Sequence, residues 1–198
     1  MFSAKTRWMS ATVFVLMGLA MAGSVQAQEV SIPILNPKFE MDVLSGAPGA
    51  SEYGVKGWVT GPISGVFKAS TTQYPGIAPS TGLYCAYLGS TNSSSGSILQ
   101  TLGATVQANT TYVLTVEVGA RADLVFTGYV AALLAGNVTL ASGHRATPVG
   151  GTFVTEVVAF ESGPTPAQLG QPLQILITST GNGQVNIAGV GLTAVPTT

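Results

Sequence analysis

From Val30 onward no window of the chain sustains a helical repeat of apolar residues; short alternating or apolar runs are cut off by Gly, Pro, Asn and Ser instead. The clearest run is Tyr112 to Val118. Successive side chains of a strand point to opposite faces, so Tyr112, Leu114, Val116 and Val118 share one face while Thr115 and Glu117 take the other. One face is core and the other wet. Comparable runs are Val30 to Ile34, Val66 to Ala69, Leu83 to Leu88, Ser97 to Leu102, Tyr129 to Leu134, Val138 to Ala141, Thr152 to Phe160, Leu173 to Ser179 and Gln184 to Leu192. About ten short strands in one small domain predict an all-β fold, an antiparallel β-sandwich.

The punctuation agrees. Ala135-Gly136-Asn137 and Gly181-Asn182-Gly183 each separate a pair of apolar runs and predict antiparallel neighbours. The Gly/Pro/Ser-rich stretches 45–51, 74–80 and 90–96 predict loops. In the last run the apolar set Val185 and Ile187 is followed by Val190 and Leu192, so the period of two slips. A strand cannot change its buried face without a bulge or bend, which places a bulge at Ala188-Gly189 with glycine as the permissive residue.

Only 8% of the 198 residues are charged and the net charge is -1. Without a basic cluster the chain lacks what phosphate recognition needs, which argues against nucleic acid as a partner. Lys5 and Arg7, the apolar run from Ala11 to Ala22 and the small-residue end Val25-Gln26-Ala27 predict an export signal over residues 1–27. A single domain over 28–198 follows, secreted or periplasmic, with no membrane anchor after cleavage and a net charge of -3. The single cysteine, Cys85, excludes an intrachain disulfide and sits in a strand-like run, where a free thiol is usually a small buried hydrophobe.

No nucleophile elbow, phosphate-binding Gly loop, zinc-binding His pair or Cys/His cluster is present. What remains is oxygen chemistry and aromatic surface. Glu40 and Asp42, two apart after Asn36-Pro37-Lys38-Phe39, suit calcium together with backbone carbonyls, or are two solvated acids. Glu117 and Glu156 read as solvated positions on strands. Trp58, Tyr74, Tyr84, Tyr87, Phe126 and Tyr129 form the aromatic pool, with Trp58 either a binding platform or a core plug. Arg121 and Asp123 leave a strand together, as a surface pair or the rim of a polar pocket.

Several segments carry a resemblance: Ser31 to Glu40 (SIPILNPKFE), Gly57-Trp58, Ala86-Tyr87-Leu88, Gly96 to Leu102 (GSILQTL), Asn109 to Tyr112 and Val118 to Asp123 (VGARAD). Together they resemble the secreted galactose-binding-like jelly rolls, carbohydrate-binding modules among them, and within that group the Stig cyclases of hapalindole-type alkaloid biosynthesis. The resemblance implies a jelly roll stabilised by structural Ca2+, with Glu40 as the metal candidate. For a cyclase it implies an aromatic-lined pocket where an indole-isonitrile terpenoid undergoes Cope rearrangement and cyclisation, with an Asp as acid. The group's closing strand reads INFDxVRL; the matching segment here is Val185 to Leu192, so alanine (Ala188) stands at the Asp position and glycine (Gly191) at the Arg position. Alanine can neither donate a proton nor ligate through its side chain. The leading expectation is therefore a binding module for a glycan or another neutral small molecule, leaning away from an enzyme, with Trp58, Tyr87, Arg121 and Phe126 as ligand-binding candidates. The alternatives are a Stig-type cyclase that uses another acid, Asp123 being the candidate, and a structural envelope or matrix protein; a homodimer is compatible with each.

Overall fold

The computed structural model describes residues 27–76, 84–92, 96–145 and 147–197. All but the last residue of the expected leader lies outside them, as do portions of the loops predicted at 74–80 and 90–96. Among the described residues twelve strands form: β1 (Val30–Ser31), β2 (Ser51–Tyr53), β3 (Val59–Thr60), β4 (Ser64–Lys68), β5 (Tyr84–Leu88), β6 (Ser97–Thr105), β7 (Thr110–Ala120), β8 (Tyr129–Ala135), β9 (Val138–Gly143), β10 (Thr152–Ser162), β11 (Pro172–Ser179) and β12 (Val185–Pro196). A seven-stranded sheet runs β10-β7-β12-β5-β4-β2, with β1 on the far end of β12; a five-stranded sheet runs β3-β6-β11-β8-β9. The two sheets make the expected sandwich.

Each of the ten expected runs has its strand, and β2 and β3 are additional. They escape a pattern reading because runs of two or three residues show no period. β1 is shorter than expected for a local reason. The Ile32 amide still reaches Leu192 O at 2.8 Å, but Pro33 has no amide to continue the ladder.

The core lies between the sheets. Tyr112, Leu114, Val116 and Val118 of β7, with Val185, Ile187, Val190 and Leu192 of β12, are buried in one cluster with Ile98, Leu133, Ile175 and Ile177 of the five-stranded sheet. Burying each such side chain contributes about 1.5–3 kcal/mol, against about 0–1 kcal/mol for an exposed ion pair. Packing therefore sets the stability of this weakly charged chain.

The β8–β9 turn is the expected hairpin: Gly136 and Asn137 both have positive φ, 54° and 69°, as a two-residue turn matched to strand twist requires. The Gly181–Gly183 connection is not a hairpin. It crosses between sheets, from β11 to β12. A Cβ on Gly183 would lie 2.4 Å from Val125 O, so this glycine serves close backbone packing against the 125–127 segment.

The slip in β12 is a real bulge: its register against β7 jumps between Ile187 and Gly189. Gly189 does not have positive φ, so conformational freedom is not its role. Glu156 corrects the expectation of a solvated acid. Its register opposite Val116 turns it to the inner face, where it is buried and accepts a hydrogen bond from the Tyr129 hydroxyl on β8, joining the two sheets. The Arg145 amide also donates to it, at 2.8 Å. Replacing Tyr129 by Phe removes one donor from a buried carboxylate and is expected to cost about 1–3 kcal/mol, read as a lower urea midpoint at unchanged slope.

Candidate functional site

The face of the seven-stranded sheet turned away from the core carries a second cluster: Phe67, Ala69, Tyr74, Cys85, Tyr87 and Ala188, with Phe153 packed against it. Its origin is parity. Where Leu114, Val116 and Val118 point in, Thr115, Glu117 and Gly119 must point out. Strand register sets these residues in rows. One row runs Tyr53, Gly65, Tyr87, Asn186, Gly119 and Phe153; in the next, Gly189, Glu117 and Thr155 are neighbours.

Large rings lie over small residues. Tyr74 and Phe153 stack at 4.4 Å, and a Cβ on Gly119 would meet the Phe153 ring at 2.3 Å, so only glycine admits the stack. The Tyr74 hydroxyl donates to Asn186 Oδ1 at 2.8 Å, a fully buried amide on β12. From there a polar chain reaches the rim: Asn186 Nδ2 to Gln184 Oε1 at 3.4 Å, and Arg121 to the same oxygen at 3.1 Å. Arg121 lies 5.6 Å over the Phe67 ring and pairs with Asp123 at 2.7 Å.

Two cavities open on this face and share Glu117 and Thr155. The first, about 350 Å³, has Thr115, Gly189 and Gly191 in its lining, with Pro37 and Lys38 supplied by the N-terminal loop. The second, about 170 Å³, adds Phe153 and Ala188. Together they form a groove with one carboxylate in the middle. The bulge anchors its wall, because the Val190 amide donates to Pro37 O at 3.0 Å. A larger cavity of about 610 Å³ lies beside β1 and the far end of β12, but its only titratable lining group is Tyr112, whose hydroxyl accepts from the Gln107 amide. It offers no carboxylate, imidazole or amine for chemistry.

The local electrostatics sort the polar groups. Burial pushes the Tyr74 and Cys85 protons toward tighter binding, the neighbouring Glu117 carboxylate adding to the effect at Cys85. Burial, then Tyr53, raises Tyr87. These groups are neutral hydrogen-bond donors, and the thiol is no nucleophile. The hydrogen bond from Arg121 lowers Asp123. That makes Asp123 a poor proton donor, contrary to its selection as the alternative acid.

The other site candidates separate. Tyr87 lies on the outer face and Arg121 on its rim. Trp58 is a core plug, donating its indole N–H to Asn36 O at 3.4 Å and tilted on Phe39. Phe126 packs against the inner core beside Tyr129. Phe67, Phe153 and Glu117 were missed as ligand candidates; the parity of β7 carried the signal for Glu117, but its position beside Gly189 emerges only once β12 is paired.

Glu40 is exposed in the loop after Asn36. Asp42 is buried and committed: it accepts from Asn36 Nδ2 at 2.8 Å and from the Lys56 amide at 3.1 and 3.3 Å. The Lys56 ammonium occupies Met41 O at 3.0 Å. Among the described residues no three His, Cys, Asp or Glu side chains converge. Calcium takes 6–8 oxygen ligands. One exposed carboxylate beside a carbonyl already held by an ammonium, with alanine where the resembling strands carry Asp, is a poor donor set, so no step below runs through a metal.

Residues 30–193 match the family model of HpiC1-like proteins, described as HpiC1 cyclase. An apo-form cyclase from Fischerella sp. is 30% identical, with 86% of this chain and 98% of that one covered and a TM-score of 0.74. The Stig cyclase Fisc from Fischerella sp. TAU, solved with (3Z)-3-(1-methyl-2-pyrrolidinylidene)-3H-indole, is 31% identical over 86% of this chain and 100% of its own, TM-score 0.75. A cyclase from Fischerella sp. TAU, solved with 4-(1H-indol-3-yl)butan-2-one, gives 30%, 85%, 99% and 0.73. No curated protein matches the chain. The expectation of a glycan-binding module finds no support in these similarities.

A ligand that binds only the folded state raises its melting temperature. The donor set predicts that neither EDTA nor millimolar calcium will shift the melting curve; a calcium-dependent rise would restore the metal reading at Glu40.

Proposed function

The chain belongs to the HpiC1-like cyclase family, and from that membership we propose that it is a small-molecule cyclase whose site is the groove on the outer face of the seven-stranded sheet. The substrate class is an indole-bearing terpenoid, in the finest form an indole-isonitrile terpenoid that undergoes Cope rearrangement and cyclisation. The observation that carries this reading is the second apolar cluster, with rings recessed over small residues and one carboxylate in the groove beside them. A glycan platform would present its rings to solvent, whereas Tyr74, Tyr87 and Phe67 are buried.

The chemistry asked of such a site is modest. Rearrangement and ring closure within one molecule leave its atoms unchanged, so the protein must fold the substrate, exclude water and manage a proton. Holding reacting atoms in place can supply about 7–11 kcal/mol of a barrier. Phe153, which lines the second cavity, supplies the flat apolar contact, and the Tyr74–Asn186 bond holds its stack rigid. Export by the 1–27 leader would have the protein act outside the cytoplasm.

The test uses 4-(1H-indol-3-yl)butan-2-one as binding probe and an indole-isonitrile terpenoid as substrate. The mature protein is expected to bind the probe and to yield a cyclised product of unchanged mass. Phe153→Ala should weaken probe binding about tenfold, roughly the 1.4 kcal/mol that separates decades of affinity. Failure of both binding and turnover, with an oligosaccharide bound instead, would sink the cyclase reading.

A further inference from the structure

We infer that Glu117 is the proton-transferring group of this groove, a catalytic residue acting from β7. The inference rests on the cyclase reading above and names the chemistry of the same site. Glu117 lines both cavities and is the only carboxylate in either lining. Its position follows from the bulge: Gly189 is its cross-strand partner, and a Cβ there would lie 2.8 Å from Glu117 Oε2. The carboxylate therefore lies across the backbone of β12, next to the methyl of Ala188. A glycine and an alanine leave the space above β12 open, and the acid enters it from the neighbouring strand.

Of the other acids, Glu40 is exposed in the N-terminal loop and lines neither cavity, and three more are engaged elsewhere. Asp123 is held by Arg121, Asp42 by Asn36 and the Lys56 amide, and Glu156 by Tyr129 inside the sandwich. Groups facing Glu117 are few. The N-terminal loop brings Lys38 to the first cavity, and β5 brings Cys85, whose buried thiol interacts electrostatically with Glu117. From β10 come Thr155 and Phe153, and from β12 Ala188, Gly189 and Gly191, none of which titrates.

The step balances without a co-reactant. The Glu117 carboxyl O–H breaks as a C–H bond forms on a substrate double bond, leaving a carbocation beside the carboxylate. The π electrons of the neighbouring alkene or indole close the new C–C bond, and the carboxylate removes a proton from the resulting cation. Substrate and product are isomers, and Glu117 ends protonated as it began. General acid–base transfer of this kind contributes about 10²–10⁴-fold to a rate.

The experiment compares the mature wild type with Glu117→Gln and Glu117→Asp, using 4-(1H-indol-3-yl)butan-2-one for binding and an indole-isonitrile terpenoid for turnover. Glu117 is exposed, so both variants should melt as the wild type does. Glu117→Gln is expected to keep probe binding and to lose at least about 100-fold in turnover. Glu117→Asp, which keeps a carboxyl on a shorter side chain, should recover part of that turnover, whereas a merely structural role for the side chain would leave turnover unchanged in Glu117→Gln. An active wild type with equally active Glu117→Gln would overturn the assignment alone. A wild type that neither binds the probe nor turns over the substrate would remove the cyclase reading and this assignment together.

Discussion

The seven-stranded sheet depends on one strand burying two apolar sets of opposite parity. Val185 and Ile187 of β12 point into the sandwich, and so do Val190 and Leu192, which an unbroken period of two forbids. The extra residue between Ile187 and Gly189 resolves the conflict. It lets β12 pair with β5 through its first residues and with β7 along most of its length. It also leaves the Val190 amide to bond Pro37, which draws the N-terminal loop against the sheet and makes a wall of it. Core and groove thus share one cause.

The outer face of this sheet would ordinarily be wet. Here it is half apolar because large rings are laid over residues without side chains. Phe153 and Tyr74 cover Gly119, and Tyr87 covers Gly65. The polar groups mixed among them are uncharged or committed: buried phenols, a buried thiol, an amide chain and an ion pair at the rim. Such a surface suits a neutral, flat, apolar molecule far better than an anion, and within the groove itself it leaves one carboxylate to act. The Arg121–Asp123 pair contributes little stability on its own, about 0–1 kcal/mol; its consequence is to hold a guanidinium over Phe67 at the edge of the cluster.

Most strands were legible because burial on one side of a sheet writes a period of two into the sequence. β7 is the clearest case, with its inward Tyr, Leu and Val and outward Thr, Glu and Gly. The bulge was legible for the same reason, as a phase slip. Glycine at 189 was misread as a conformational device, since nothing local reveals that a carboxylate on another strand lies over it. Glu156 was misread because its charge was given more weight than its phase: it shares parity with Val154 and Val158, the inward set of β10. Gly181-Asn182-Gly183 was misread because glycine-rich turns serve hairpins and sheet crossings alike.

The sequence alone determined the period of two, the turn chemistry, the slip in the closing strand, the absence of an intrachain disulfide and the alanine at position 188. It also bounded the candidate acids to eight. Only the tertiary structure decided which strands are neighbours, and hence that Glu117 reaches the space beside Ala188 while Trp58 and Phe126 turn to the core. The physical reason is that side-chain direction is a local property of a strand, written every second residue, whereas a site is made of side chains from different strands, whose proximity is set by pairing across long stretches of chain.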